Sequence, residues 1–169
     1  MSYSESAMAF TIRRANLSDY PAIWKILEPT IRAAETYTLP VDMAETEALA
    51  YWLAANHQAY VAEDSGEIVV TYYLRPNQPG GGSHIANCGY ITAPWAAGRG
   101  IARAMCTHSL ERAKAQGFRA MQFNFVVSSN QRAVTLWKSL GFEIVGEIPE
   151  AFHHPAQGVV AAYVMYRKL

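Results

Sequence analysis

Residues 93–116 read APWAAGRGIARAMCTHSLERAKAQ, and their reading decides the fold. Pro94 and small residues lead into the turn Gly98-Arg99-Gly100. That turn runs without a break into a helical pattern ending at Gly117. Without Cβ atoms, Gly98 and Gly100 let the backbone bend tightly and approach a ligand closely. The helix brings its free N–H groups and the positive end of its dipole to the same point, a site suited to a pyrophosphate. Arg99 and Arg103 add charge at its rim. A dinucleotide fingerprint fits poorly, because its sixth position falls on Arg103 and no acidic residue lies about 20 residues beyond. The GxxxxGK(S/T) phosphate loop is absent. Taken alone, a GxG before a helix also reads as a plain turn.

Two further stretches give the turn its meaning. Asn130-Gln131-Arg132-Ala133 and Leu136-Trp137-Lys138-Ser139-Leu140-Gly141-Phe142 follow it in order. Together with Pro94–Ala102 they resemble the GCN5-related N-acetyltransferase (GNAT) superfamily. In that family the loop is (Q/R)xxGx(G/A), and the second signature is roughly NxxAxxxYxxxGF. Gly100 and Ala102 fit the loop, and Ala97 replaces the usual Arg or Gln. Asn130, Ala133, Gly141 and Phe142 fit the second signature, and Trp137 stands where Tyr is usual. The resemblance spans residues 10–167, nearly the whole chain.

The resemblance implies an α/β fold with a mixed, mostly antiparallel sheet of about seven strands and about four flanking helices, a natural packing for elements in this order. It implies acetyl-CoA as cofactor. The strand backbone at Tyr90, Ile91 and Thr92 would pair with the pantetheine arm. Gly98, Arg99, Gly100, Ile101, Ala102 and Arg103 would hold the pyrophosphate. Asn130, Ala133 and Trp137 would line the cofactor from the second signature. A homodimer is also implied.

Composition bounds the rest. At 169 residues, the chain (1–169) is expected to be one N-acetyltransferase domain with a loose tail at 1–8. Hydrophobic residues make up 51% and charged residues 17%, which is globular. Fourteen basic residues balance fourteen acidic ones, which gives no support to a nucleic-acid or membrane partner. No apolar run is long enough to span a bilayer. The N-terminus lacks a secretory pattern, and Cys88 and Cys106 suit a reducing cytoplasm.

Along the chain, Phe10–Arg13 reads as a strand. A helix starts at Ser18-Asp19 with either residue as cap, and Pro29 should end or kink it. Thr36–Pro40 is a loop, and a second helix runs from about Met43 to Asn56. Ala59–Glu63 and Glu67–Leu74 form a hairpin around Asp64-Ser65-Gly66. Arg75–Ser83, with two prolines and three consecutive glycines, is a loop. His84–Thr92 is the strand that feeds the central turn. Phe118–Val127 is an apolar strand, and Asn130 caps a short helix. Phe142–Ile148 is a strand, Pro149–Gly158 a loop, and Val159–Arg167 the last strand.

Acetyl transfer from a thioester to nitrogen needs a polarised carbonyl, a neutral amine and a proton for the leaving thiolate. Asn87 and Asn124 are amides in apolar strands, where an unpaired polar group is costly. Asn87-Cys88-Gly89-Tyr90, Gln122–Ser128 and the His154-Pro155 to Gly158 pattern resemble the branch that includes proline-analogue (azetidine-carboxylate) acetyltransferases. There, two strand asparagines hold the substrate or the thioester carbonyl. Structural amides bridging adjacent strands are the other reading. An indole cannot donate a proton to a thiolate, so Trp137 leaves Tyr90, Tyr37 and Cys88 as candidate acids. Trp24, Tyr37 and His154 are candidate substrate contacts, although His153 and His154 also read as a solvated loop pair. No histidine spacing suggests a metal.

The reading is an acetyl-CoA-dependent N-acetyltransferase acting on a small amine, an amino acid or analogue, by direct attack in a ternary complex. Protein N-terminal acetylation of the ribosomal-protein alanine type and a non-catalytic acyl-CoA sensor are the alternatives.

Overall fold

The computed structural model describes residues 10–169, so the expected tail at 1–8 lies outside the described residues. The first strand, β1 (Phe10–Arg14), leads to helices α1 (Tyr20–Ala33) and α2 (Glu45–Trp52). Strands β2 (Gln58–Asp64), β3 (Glu67–Pro76) and β4 (Ile85–Thr92) follow. Helix α3 (Ile101–Ala115), strand β5 (Ala120–Val127) and helix α4 (Gln131–Ser139) come next, and strands β6 (Glu143–His154) and β7 (Gly158–Lys168) complete the chain. One sheet holds all seven strands in the order β1-β2-β3-β4-β5-β7-β6. Every neighbouring pair is antiparallel except β4 and β5. This is the GNAT fold that the sequence pattern implies.

Period-two alternation on β3 assigns the two faces of the sheet. Thr71 accepts from Trp52 Nε1 of α2 at 2.9 Å, and Tyr73 meets Trp52 edge-on at 4.8 Å. Between them, Tyr72 turns the other way and bonds His108 Nδ1 of α3 at 2.8 Å. The sheet is therefore covered by α1 and α2 on one face and by α3 on the other. Helix α1 buries Ile23, Ile26, Leu27 and Ile31, spaced to form one helical stripe. Each such side chain contributes about 1.5–3 kcal/mol by leaving water. Helix α3 buries Met105, Cys106, Leu110 and Ala113 in the same manner.

Three local expectations change, while Asp19, one of the two cap candidates, does hold the N-cap position of α1, without a capping bond from its side chain. The 3-10 turn Leu17–Asp19 just before it is capped in turn by Asn16. Its side chain accepts from Ser18 N–H, while Asp19 reaches back to Asn16 N–H at 2.8 Å. Pro29 does not end α1, which continues to Ala33. Buried Ile31 anchors the final turn, and Arg32 ties it down by donating to the carbonyls of Val41 and Met43 at 2.6 and 3.0 Å. The second helix is shorter than expected at both ends. The loop expected over Pro149–Gly158 is largely strand. The β6–β7 ladder skips Pro149–Ala151, with Glu150 at φ +50°, and resumes from Phe152↔Val160 to His154↔Gly158. A bulge of this kind lets a ladder absorb a proline that cannot donate.

Candidate functional site

The site begins where the sheet opens. Strands β4 and β5 pair in register only at Ile85↔Ala120 and Ala86↔Met121. Beyond Ala86 the two strands separate. Asn87 Nδ2 then donates to the Gln122 carbonyl at 2.9 Å, a side chain spanning the point where the backbone ladder stops. On its other edge β4 stays fully paired with β3, from Pro76↔Ala86 to Val70↔Thr92. The edge of β4 facing β5 is left with backbone donors and acceptors that no strand among the described residues takes up. An extended ligand can use them as an added strand would.

A cavity of about 330 Å³ fills this opening. One end is walled by Ile91, Thr92, Val126 and Val127, with Asn130, Ala133 and Trp137 from α4. Asn130 Oδ1 accepts from Ala133 N–H at 3.3 Å, so it caps α4 and still lines the cavity. Trp137 packs against Tyr90 and Phe123, with ring centroids 5.2 and 5.1 Å apart. The other end is polar and aromatic, lined by Thr36, Tyr37, Thr38, Tyr51, Tyr73, Arg75, Asn87 and Asn124.

Asn87 and Asn124 do reach one cavity. The β5–β7 ladder skips Asn124 and Phe125, and this irregularity frees Asn124 from strand pairing. A chain of amides connects the two residues. Arg75 Nε donates to Asn87 Oδ1 at 3.2 Å. Gln122 Nε2 donates to Asn124 Oδ1 at 3.0 Å, and Asn124 Nδ2 donates to Asn77 Oδ1 at 2.7 Å. Both strand-bridging and cavity-lining roles therefore hold for Asn87, which is buried with its two side-chain polar atoms engaged.

Tyr90, Cys88 and Tyr37 also line the cavity, whereas Trp24 and His154 lie outside it. The Tyr90 hydroxyl bonds Ser109 Oγ of α3 at 2.6 Å, away from α2, and burial pushes it well above the usual phenol range. Period two decides this: Gly89 faces Tyr73 on the α2 side, so Tyr90 faces α3. Cys88 and Cys106 are buried free thiols raised by desolvation, Cys106 to about 12. Tyr37 does line the cavity, but its hydroxyl donates to the Tyr90 carbonyl at 3.0 Å, and burial pushes it up. Trp24 is not among the cavity residues; it sits on α1 beneath the Arg32 guanidinium at 5.6 Å. His154 is also outside the cavity. It is buried at the end of β6, where Nδ1 accepts from Ala156 and Gln157 N–H at 3.1 Å each. As an acceptor Nδ1 carries no proton, and the ring closes the β6–β7 turn.

Ahead of α3, Gly98 and Gly100 adopt φ +81° and +74°, values that favour glycine. The first helical bond runs from Ala104 N–H to Gly100 O at 3.2 Å. The N–H groups of Ile101, Ala102 and Arg103 precede it and are free for an anion. Arg99 is ion-paired with Asp64 at the end of β2, and Arg103 donates to Ser139 Oγ at 2.7 Å.

Arg75 is the residue that sequence reasoning missed, together with Tyr51 and Tyr73. Two prolines and three glycines make 75–83 read as a loop, but β3 continues to Pro76 and Arg75 pairs with Asn87. The available signal was the alternation Thr71, Tyr73, Arg75 carried two residues further. Among the described residues, no group of three or more His, Cys, Asp or Glu could hold a metal ion, and no helix is long and apolar enough to cross a membrane.

Comparisons agree with this architecture. Residues 20–142 match the model of the Acetyltransferase (GNAT) family. The L-methionine sulfoximine/L-methionine sulfone acetyltransferase of Pseudomonas paraeruginosa is 30% identical over 153 residues, 85% of this chain and 86% of that protein. N-acetyltransferase aca1 of Schizosaccharomyces pombe is 35% identical over 94 residues, 55% of this chain, and the match spans 45% of that longer relative. A GCN5-related N-acetyltransferase from Kribbella flavida superposes with a TM-score of 0.92 at 39% identity, covering 95% of this chain and 98% of that one. The chain belongs to the acetyltransferase (GNAT) family and is an N-acetyltransferase.

Proposed function

We propose that this GNAT-family chain, acting as one domain, moves the acetyl group of acetyl-CoA to the amine of a small acceptor that carries a carboxylate, an amino acid or analogue. Arg75 carries the reading. It is the one charged side chain lining the cavity among the described residues. Its Nε is held by Asn87, and its terminal nitrogens have no protein partner among the described residues. A half-buried guanidinium with a free fork suits a carboxylate. The relative from Pseudomonas paraeruginosa, named for methionine sulfoximine and methionine sulfone, supports the amino-acid class.

The cofactor assignment rests on two features that fit it: the unpaired edge of β4 and the left-handed glycine turn before α3. Acetyl-CoA supplies an acetyl thioester, which the acceptor amine attacks directly. Ile91 and Thr92 offer backbone to the pantetheine arm, with Asn130, Ala133 and Trp137 closing over it. The turn from Gly98 to Arg103 takes the pyrophosphate. Asn124, with its own amide held by Asn77 and Gln122, lies near the acceptor end as a fixed polar group. Tyr37, Tyr51 and Tyr73 bound the acceptor and keep water out. The thiolate needs no side-chain acid, since a thiol is a good leaving group at neutral pH. Two free cysteines suit a cytoplasmic setting, and a homodimer follows from the family resemblance.

The test is thiol release from acetyl-CoA with amino acids and analogues, each paired with its decarboxylated amine. Release with a carboxylate-bearing amine and not with its partner supports the reading. Equal release with both would remove the carboxylate from it. Cofactor binding without turnover on any amine would favour the sensor alternative.

A further inference from the structure

Three arginines belong to the glycine turn and the helices of the two signatures, and two of them are engaged elsewhere. Arg99 pairs with Asp64, and Arg103 bonds Ser139 Oγ. The third, Arg132, comes from the first turn of α4. It makes no ion pair and no side-chain hydrogen bond among the described residues. Its Nη2 stands 3.3 Å from the point that a Cβ on Gly98 would occupy. A side chain at Gly98 would be strained at φ +81° and would press on that guanidinium. The glycine therefore does two things: it makes the turn, and it lets Arg132 lie across it.

We propose that Arg132 is a direct ligand of the cofactor pyrophosphate, closing over the turn from α4. The inference rests on the acetyl-CoA reading above. An anion seated on the free N–H groups of Ile101, Ala102 and Arg103 meets backbone donors on one side. Arg132 supplies a charged fork from the other, a geometry matched to two phosphate oxygens. At Ala97 the chain has no side-chain donor to offer, whereas the family loop carries Arg or Gln there. Arg132 replaces that donor from a different element. The assignment also links the two sequence signatures, since Gly98 belongs to one and Arg132 to the other.

Calorimetric titration of the full chain with CoA and with dephospho-CoA, which lacks the 3′-phosphate, tests this. Wild type, Arg132→Ala, Arg132→Gln and Arg132→Lys are compared. Loss of one charge-assisted phosphate contact is expected to raise Kd on the order of tenfold in the Ala and Gln variants. The loss is equal for both ligands, and Lys recovers part of it. Arg132→Gln keeps the methylene stem and a polar head without the charge, so it guards against a folding defect in the Ala variant; melting of each ligand-free protein checks this. Unchanged CoA affinity in both variants would overturn the assignment and leave the cofactor reading standing. A loss that disappears with dephospho-CoA would also overturn it, moving Arg132 to the 3′-phosphate. No CoA binding by wild type would sink the cofactor reading and the Arg132 assignment together.

Discussion

Tyr73 lies on Gly89. A Cβ on Gly89 would stand 2.7 Å from Tyr73 Cε1 and 2.9 Å from its hydroxyl oxygen. The two residues are register partners on β3 and β4, so the ring folds across the strand gap onto a place with no side chain. There it meets Trp52 edge-on at 4.8 Å and stacks on His57 at 4.2 Å. Its hydroxyl is 3.3 Å from that of Tyr51, and both residues wall the polar end of the cavity.

Gly89→Ala should therefore destabilise the protein and deform the acceptor end together. Tyr73 is 4% exposed and is held between Trp52 and His57. Overpacking of this kind costs about 1–3 kcal/mol. Urea unfolding reads the stability loss, and acceptor KM should rise. A variant as stable as wild type would mean that Tyr73 is not held by Trp52 and His57.

Arg75→Gln retains a hydrogen-bond donor near Asn87 and removes the charge. Loss of a charged hydrogen bond to the acceptor is worth about 1.5–3 kcal/mol, so kcat/KM for a carboxylate-bearing amine should fall by roughly ten- to a hundredfold. Cofactor affinity should not change. Steady-state kinetics at saturating acetyl-CoA separates the two. An unchanged kcat/KM would remove Arg75 from acceptor binding.

Trp137→Phe probes the position where the family usually has Tyr. Indole N–H does not titrate in the working range, so the pH profile of kcat should keep its shape. Lost contact area in the cofactor wall should raise the acetyl-CoA Kd a few-fold, about 0.5–1 kcal/mol. A changed limb in the pH profile would place Trp137 on the proton path.

Asp19 sets an acid limit on stability. Arg13 donates to both of its oxygens at 2.8 and 2.9 Å, and this holds the carboxyl below the usual range against the cost of burial. A carboxylate with a depressed folded pKa contributes its stability above the unfolded value, near 3.9. That contribution is lost as pH falls through the folded value. Asp19→Asn should therefore be less stable than wild type at pH 7, by about 1–3 kcal/mol. The gap should narrow as pH drops below about 4. Urea midpoints measured from pH 7 to pH 2 check the sign; a constant gap would assign the loss to packing.

The glycine turn before α3 and the cap of α4 were legible because their signals are local. The left-handed turn needs glycine at Gly98, and Asn130 caps α4 three residues before Ala133; both can be read over a few positions. The polar end of the cavity was legible only in part. Asn87 and Asn124 stood out as amides in apolar strands, and both line the cavity. Their bonding partners did not stand out. Tyr90 looked like an available acid until the parity of β4 turned its hydroxyl to Ser109. His154 looked like part of a loop until the β6–β7 ladder resumed past Glu150 and made it the cap of a tight turn.

By itself, the sequence determined the order of elements, the glycine turn before α3 and the second signature on α4. These depend on backbone conformations and hydrogen bonds spanning a few residues. Only the tertiary structure decided that Arg75 meets Asn87, that Asn124 reaches the cavity from an irregular stretch of β5, and that Arg132 crosses Gly98. Strand register and bulges set those encounters. A slip of one residue sends a side chain to the opposite face of the sheet, and no short stretch of sequence records which register the packed faces select.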